Sequence, residues 1–119
     1  MKKILVIEDN EQNLYLMDYL LKKMGYTVLQ ATTGVEGVKM AILEKPDLIL
    51  MDIQLPDIDG LEATKRIRES EADGSIPIIA VTSYAMVGDR EKAMQAGCTG
   101  YIEKPINPES FIREIGAFL

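Results

Sequence analysis

Histidine is absent from this chain of 119 residues, and cysteine occurs once, as Cys98. Without histidine the chain cannot form a Ser-His-Asp triad, a histidine zinc site or a phosphohistidine of its own. A single cysteine excludes an internal disulfide and a multi-cysteine metal site, so Cys98 is expected to be a small buried hydrophobic residue. Any bound metal must therefore have oxygen ligands, which favours hard cations such as Mg2+.

Long apolar runs and an excess of positive charge are also missing. No apolar run approaches the ~20 residues of a membrane-spanning helix, and the N-terminal run of four residues is shorter than the ~7–15 of a signal peptide. The net charge of −6 argues against binding to nucleic acid phosphates. We therefore expect a cytoplasmic protein with no membrane association and no direct contact with nucleic acid.

The apolar residues that are present form five short runs, which predict β-strands at 3–8, 27–31, 48–51, 78–81 and 100–103. The third run, LILM, is apolar without alternation, which is typical of a strand buried on both faces of a parallel sheet. An amphipathic stretch follows each run. This alternation predicts one α/β domain over residues 1–119, with a doubly wound parallel sheet in the common order 2-1-3-4-5.

Five helices are predicted, at about 11–24, from Thr33 towards Pro46, at about 60–69, at about 88–96 and from Asn107 onwards. Gly25 and Gly97 stand where residues in the left-handed conformation would end the first and fourth helices. Asn107 and Pro108 are typical of an N-cap and a first helical position. In the second helix, Val35, Val38 and Ile42 are predicted to form the face that packs on the core.

Charged and hydroxyl side chains follow four of the five predicted strands. Glu8 ends the first predicted strand and Asp9 follows it, while Asp52 comes after the third strand, Thr82 after the fourth and Lys104 after the fifth. Because the carboxyl ends of parallel strands share one edge of the sheet, these groups should gather around the point where the strand order reverses. Three neighbouring carboxylates repel each other, and a divalent cation would relieve that repulsion.

A carboxylate beside Mg2+, with an ammonium and a hydroxyl group nearby, can act as a nucleophile towards phosphorus. The metal and the lysine would neutralise the transferring phosphoryl group, and the hydroxyl would donate a hydrogen bond to one of its oxygens. The residues therefore favour phosphoryl transfer to Asp52.

Four motifs, VIEDN, LILMDIQLPDIDG, AVTSYA and YIEKPI, together resemble the response-regulator receiver domain of two-component signalling. The likeness covers essentially the whole chain, and the implied fold is a flavodoxin-like (βα)5 sandwich. Within the family, the pattern resembles single-domain regulators of the DivK type and the receivers of hybrid histidine kinases. The former implies a role in cell-cycle or differentiation control, and the latter leaves open that this receiver comes from a longer protein.

The resemblance implies a role for each residue of the cluster. Asp52 is the phosphoacceptor, and Lys104 pairs with the phosphoryl group. Mg2+, or Mn2+ in its place, is bound by the side chains of Asp9 and Asp52 and by the backbone carbonyl of Gln54. Glu8 holds the metal through water.

The resemblance also implies a switch and a set of residues that tune it. Thr82 and Tyr101 form the switch pair, whose movement follows phosphorylation. Gln54 and Tyr84 line the path of the hydrolytic water and set the lifetime of the phosphate. The peptide bond before Pro105 is expected to be cis.

The implied partners are a histidine kinase or a histidine phosphotransferase, which supplies the phosphoryl group, and a downstream protein. The downstream protein would bind to the face formed by the fourth helix, the fifth strand and the fifth helix. The chain is expected not to be an enzyme on outside substrates.

Two other functions would require residues that this chain lacks at the corresponding positions. Phosphatases with an aspartyl nucleophile on a similar fold have a second Asp two residues on as general acid, where this chain has Gln54. A flavodoxin-like carrier of FMN would need a phosphate loop rich in Ser, Thr and Gly after the first strand. The acidic sequence EDNEQN stands there instead and would repel the phosphate.

Overall fold

The computed structural model describes residues 2–70, 75–83 and 88–119. Strands and helices alternate along the chain, as the apolar runs predicted. Their bounds are β1 (Lys3–Ile7), α1 (Glu11–Lys23), β2 (Thr27–Ala31), α2 (Gly34–Glu44), β3 (Leu48–Asp52), α3 (Gly60–Ser70), β4 (Ile78–Thr82), α4 (Asp89–Ala96), β5 (Gly100–Glu103) and α5 (Pro108–Ala117).

The strands form one parallel sheet in the order β2-β1-β3-β4-β5, which confirms the predicted topology. Strand β1 lies beside β2 and β3, with Leu5 opposite both Leu29 and Ile49. Every residue of β3 and β4 is buried, which explains why their apolar residues show no alternation. The order of strands reverses between β1 and β3, and the polar residues gather there.

Two separate hydrophobic cores lie on the two faces of the sheet. Alternate residues of β1 pack into the two cores, with Ile4 and Val6 in the first core and Leu5 and Ile7 in the second. Helices α1 and α5 contribute to the first core, and α2, α3 and α4 to the second. The sheet is thus covered by helices on both faces, which makes its C-terminal edge the place where side chains meet solvent.

The helix ends follow the predicted signals. Asn107 accepts hydrogen bonds from the N–H groups of Glu109 and Ser110 and caps α5. Gly25 and Gly97 have φ values of 91° and 115° after α1 and α4, as the glycine pattern predicted. Helix α2 ends instead at Lys45, with φ 46°, a left-handed residue that the sequence did not mark.

Helix α2 packs on the sheet through its small residues. Gly34, Gly37 and Ala41 are its buried residues, whereas the side chains of Val35 and Ile42 are 41% and 47% exposed. The prediction that these two side chains face the core is therefore wrong. A Cβ on Gly37 would lie 2.5 Å from Cδ1 of Ile7 in β1, so the helix backbone lies directly on the sheet.

Within residues 2–70, 75–83 and 88–119, no helix has the length and apolar character needed to cross a bilayer. Cys98 is buried, as expected. Its sulfur lies 3.8 Å from Oγ1 of Thr64, and burial raises the pKa of its thiol.

Candidate functional site

The ends of four strands bring the predicted site residues together at one edge of the sheet. Glu8 is the first residue after β1, and Lys104 is the first after β5. Asp52 and Thr82 are the last residues of β3 and β4, and they lie within the sheet opposite Val81 and Glu103. The strands predicted at 48–51 and 78–81 are one residue too short at these positions, and the strand predicted at 3–8 is one residue too long. Ladder pairing therefore fixes the backbone of Asp52 and Thr82.

Three carboxylates form a tight cluster at this edge. One oxygen from each of Glu8, Asp9 and Asp52 lies within 4.8 Å of the others. Glu8 is fully buried and Asp52 is 5% exposed, whereas Asp9 is exposed. The Glu8 backbone N–H donates to the Ala31 carbonyl at 3.0 Å, which ties the start of the acidic loop to the end of β2.

Lys104 places its ammonium group against two of these carboxylates. Its Nζ lies 2.6 Å from Glu8 Oε1 and 3.5 Å from Asp52 Oδ2. The side chains of Lys104 and Glu8 are 10% and 0% exposed, so the closer of these contacts is a buried ion pair. The Lys104 backbone N–H donates to the Thr82 carbonyl at 2.8 Å, and the Lys104–Pro105 peptide bond is cis.

This arrangement changes the ionisation of Asp52. Burial, reinforced by a hydrogen bond and charge repulsion from Glu8, raises the pKa of Asp52 to about 7. The Lys104 ammonium and the Gln54 N–H act in the opposite direction, and the Gln54 N–H donates to Asp52 Oδ1 at 3.1 Å. One ammonium group therefore does not fully compensate the clustered carboxylates.

The donor set fits a hard divalent cation. Carboxylate oxygens converge from Glu8, Asp9 and Asp52, and the Lys104 ammonium only partly offsets the effect of burial and of Glu8 on Asp52. Mg2+ prefers oxygen ligands and is commonly bound by one or two carboxylates while it keeps several waters. Asp9, Asp52 and the nearby backbone carbonyl of Gln54 could serve as ligands, with Glu8 alongside.

The loop that follows Asp52 is held close to it by Gly60. A Cβ on Gly60 would meet the carbonyl oxygen of Asp52 and would lie 2.7 Å from Cα of Ile53. The Gly60 N–H donates to the Ile53 carbonyl at 2.8 Å. Only glycine fits this close approach of two backbones, and the loop is thereby closed at its base.

The acidic cluster opens to solvent through a cleft of about 830 Å³. The start of α1 lines this cleft, together with Gln54, Leu55 and Pro56. Ser83 and Lys104 also contribute to its lining. Asp52 is thus buried at a position that a group entering this cleft can approach.

Thr82 and Tyr101, the predicted switch pair, line one cavity of about 210 Å³, together with Gln54 and residues of α3 and α4. Thr82 is buried, and the partly buried Tyr101 packs against the second core. Burial, with the charges of Asp89 and Glu103, raises the pKa of the Tyr101 phenol.

Tyr101 also lines a second cavity. This cavity, of about 290 Å³, lies among α4, β5 and α5 and includes Arg90 and Glu114 in its wall. Tyr84, the other residue predicted to tune dephosphorylation, lies outside the described residues.

The roles of Asp57 and Gly60 in this region were not predicted from the sequence. Asp57 accepts hydrogen bonds from the N–H groups of Gly34 and Val35 at the start of α2, although 23 positions separate Asp57 from Gly34. For Gly60, the sequence predicted only the start of the third helix and not its close approach to Asp52. The PDIDG sequence marks a turn, but no local pattern shows which helix a turn aspartate will cap.

The chain is similar to known proteins in both sequence and structure. The response regulator receiver domain family matches residues 4–116. The polar-differentiation response regulator DivK of Brucella ovis is 45% identical over 118 residues, which cover 99% of this chain and 96% of that protein.

Two solved structures show the same likeness. The receiver domain of the sensor histidine kinase PA1611 from Pseudomonas aeruginosa, which has a magnesium ion in its active-site cleft, is 38% identical, with a TM-score of 0.90 over 98% of this chain and 96% of that one. A CheY-like receiver domain protein from Methanospirillum hungatei is 32% identical, with a TM-score of 0.91 over 98% of this chain and 92% of that one.

Proposed function

Since the chain belongs to the response regulator receiver domain family, we propose that it is a response regulator switched by phosphorylation of Asp52. The observation that carries the proposal is the position of this carboxylate. It is buried at the end of β3, beside two other acids and 3.5 Å from the Lys104 ammonium. A buried carboxyl group that lies beside other charged groups in a cleft is typical of a functional site.

The phosphoryl donor is a phosphohistidine on a partner protein. An oxygen of ionised Asp52 attacks phosphorus, so that an O–P bond forms while the P–N bond breaks. The electron pair of the broken bond returns to the imidazole nitrogen, which takes a proton from water. The product is an acyl phosphate on Asp52 and a neutral histidine on the partner.

Residues around Asp52 position and stabilise the transferring group. Lys104 can turn its ammonium group from Glu8 to a phosphoryl oxygen, and the Thr82 hydroxyl donates a hydrogen bond to another. Asp9, Asp52 and the Gln54 carbonyl would hold Mg2+ or Mn2+, with Glu8 acting through water. The bound metal would neutralise charge that builds up on the phosphoryl oxygens.

The switch connects the cleft with the surface formed by α4, β5 and α5. Tyr101 lines the cavity next to Thr82 and also the cavity among α4, β5 and α5. When the Thr82 hydroxyl turns to the phosphoryl group, Tyr101 moves into the space that it leaves. The change alters the α4-β5-α5 face, where a downstream protein binds.

The protein is not a turnover enzyme on outside substrates. Gln54 stands where an aspartyl phosphatase has its general acid, and an amide has no acidic proton to give a leaving group. Gln54 and Tyr84 instead tune the rate at which water hydrolyses the acyl phosphate. The side chain of Gln54 is exposed at the cleft, which supports this role.

The partners are a histidine kinase or a histidine phosphotransfer protein and the downstream target. The likeness to DivK, a polar-differentiation regulator, supports a role in cell-cycle or differentiation control in the cytoplasm. The likeness to the PA1611 receiver supports the alternative, in which this domain serves within a hybrid kinase.

The test is intact mass spectrometry after incubation with Mg2+ and a small phosphodonor such as acetyl phosphate. We expect one phosphoryl adduct that requires Mg2+ and is absent in EDTA. The Asp52→Asn variant should give no adduct. Asp18→Asn is the matched control, because Asp18 lies on α1 and pairs with Lys22 away from the cleft. An adduct of equal yield on Asp52→Asn would overturn the assignment.

A further inference from the structure

The carboxylate of Asp57, in the loop between β3 and α3, caps a helix from another part of the chain. Its Oδ1 accepts from the N–H of Gly34 at 2.8 Å, and its Oδ2 accepts from the N–H of Val35 at 2.9 Å. The next N–H, of Glu36, donates to Oγ1 of Thr33 at 3.1 Å. Asp57 therefore satisfies two backbone donors at the start of α2 that the helix's own cap does not reach.

The same loop carries Gln54 and is closed at its base. Gly60 joins that base to Ile53 through a hydrogen bond of 2.8 Å. At the tip, Ile58 packs on the start of α2, since a Cβ on Gly34 would lie 2.5 Å from Cγ1 of Ile58. The loop is thus tied to β3 at one end and to α2 at the other, with Gln54 between them on the cleft.

The start of α2 is in turn tied to the acidic cluster. Ala31, the last residue of β2, accepts a hydrogen bond from the backbone of Glu8, and α2 begins three positions after Ala31. Asp57 therefore completes a connected path around the cleft. The path runs from Glu8 through Ala31 and the start of α2 to the loop, and it ends where Gln54 donates to Asp52.

From this path we propose that Asp57 is a positioning residue for the cation site. By fixing the loop to α2, it holds the Gln54 carbonyl and the Asp52 carboxylate in place relative to Glu8 and Asp9. The inference rests on the proposed function, because that function supplies the metal. Asp57 touches neither the metal nor the phosphoryl group and acts only through the loop.

Asp59 offers a matched control two positions away. Its Oδ1 accepts from the N–H of Glu62 at 2.8 Å and caps α3, the helix that the loop itself enters. Both aspartates are exposed and both cap a helix. They differ in that the Asp57 bonds cross to α2, whereas the Asp59 bond remains between the loop and its own helix.

The Mg2+ affinity of the full chain is measured by NMR titration of the backbone amides. The stability of each variant is measured separately by urea unfolding. Asp57→Ala should weaken Mg2+ affinity about tenfold, the low end of the loss that follows removal of a group bonded directly to a metal ligand, because Asp57 acts one contact further out. Asp59→Ala should leave that affinity within about twofold, although this variant also loses a hydrogen bond that caps a helix. Asp57→Asn keeps one acceptor oxygen, so its Mg2+ affinity should lie between those of the parent and Asp57→Ala. Asp57→Asn is also the variant to use if Asp57→Ala does not fold.

Unchanged Mg2+ affinity in Asp57→Ala or, failing that chain, in Asp57→Asn would overturn the inference. An equal loss of Mg2+ affinity in the Asp57 and Asp59 variants would also overturn the inference. Loss of any helix cap in the loop would then weaken Mg2+ binding, and the bonds to α2 would have no special role.

A metal-independent readout separates this inference from the proposed function. Hydrogen exchange of the Gln54 amide, measured in EDTA, should be faster in the Asp57 variants than in the parent and in Asp59→Ala. If the parent binds no Mg2+ but Gln54 still exchanges faster in the Asp57 variants, the proposed function is contradicted and the positioning role is supported. Equal exchange in all variants would overturn the positioning role.

Discussion

The ammonium nitrogen of Lys104 lies 2.6 Å from Oε1 of Glu8. Glu8 is fully buried, and the side chain of Lys104 is 10% exposed. Solvent therefore screens this ion pair little, and each partner depends on the other for compensation of its charge. Lys104 thus has a structural role in addition to the role proposed for it in phosphoryl transfer.

Replacement of Lys104 by methionine should therefore destabilise the protein. Removal of one member of a buried pair leaves an uncompensated charge, and the free energy of unfolding should fall by about 3 kcal/mol at neutral pH. Urea unfolding in EDTA measures this change. The control is Lys22→Met, because the side chain of Lys22 is 61% exposed in its pair with Asp18 and should cost less than about 1 kcal/mol. Equal losses in the two variants would contradict a structural role for the buried pair.

Asp52 should make the metal-free protein less stable as pH rises. Its pKa is raised to about 7 in the folded protein, first by burial and then by Glu8. Between about pH 4 and about pH 7 the folded state therefore holds a proton on Asp52 that the unfolded state has lost. The free energy of unfolding falls over this range, and the stabilisation from that proton is lost as pH rises through about 7. In EDTA, Asp52→Asn should be more stable than the parent at about pH 8, by up to ~4 kcal/mol.

Urea unfolding in EDTA at about pH 5 and about pH 8 tests this sign. The advantage of Asp52→Asn should shrink at the lower pH, where the parent carboxyl group is protonated. Excess Mg2+ should stabilise the parent at pH 8 more than the variant. An advantage of the variant that does not change with pH would show that Asp52 is not the titrating group.

Asp57 should give the opposite pH dependence. The N–H groups of Val35 and Gly34 hold its pKa at about 2, so its ionised form stabilises the folded state. That contribution is complete above the ordinary carboxyl pKa and is lost as pH falls towards about 2. The stability difference between the parent and Asp57→Asn should therefore narrow between about pH 5 and about pH 2.5. A difference that widens on acidification would exclude the two hydrogen bonds as its cause.

Gly60 should not tolerate a side chain. In Gly60→Ala the new methyl group would meet the Asp52 carbonyl, and the backbone shift should cost about 1–3 kcal/mol and displace Asp52. The matched control is Gly116→Ala in α5, where a Cβ would have no neighbour within 4 Å. The control should gain about 0.5–1 kcal/mol from its better helix propensity. Urea midpoints that shift in the same direction would contradict this contrast.

The fold was readable from the sequence because each strand is a compact apolar run with polar residues at its end. Sheet topology then brought Glu8, Asp52 and Lys104 together without any information about side-chain packing. Two strand ends were short by one residue, at Asp52 and Thr82. A polar residue inside a parallel ladder looks like the start of a loop when only hydropathy is considered.

The rest depends on contacts that hydropathy does not encode. For α2, periodicity favoured Val35, Val38 and Ile42, and Val38 does pack against the second core. Val35 and Ile42 are exposed, because the glycines allow a closer approach of the helix to β1. Close approach is a property of backbone shape, and it leaves the larger side chains at the flank. The choice of Glu8 as partner of Lys104, and of α2 as the helix capped by Asp57, arises only when distant segments have packed.

Tyr101 is a shared wall between the cavity next to Thr82 and the cavity among α4, β5 and α5. A ligand that displaces the ring from one cavity changes the volume of the other. Thermodynamic linkage then makes the effect reciprocal. If phosphorylation tightens binding of a partner at α4, β5 and α5, that partner must favour phosphorylation of Asp52 by the same factor. A bound target would thus report the signal and also shift the equilibrium that produces it.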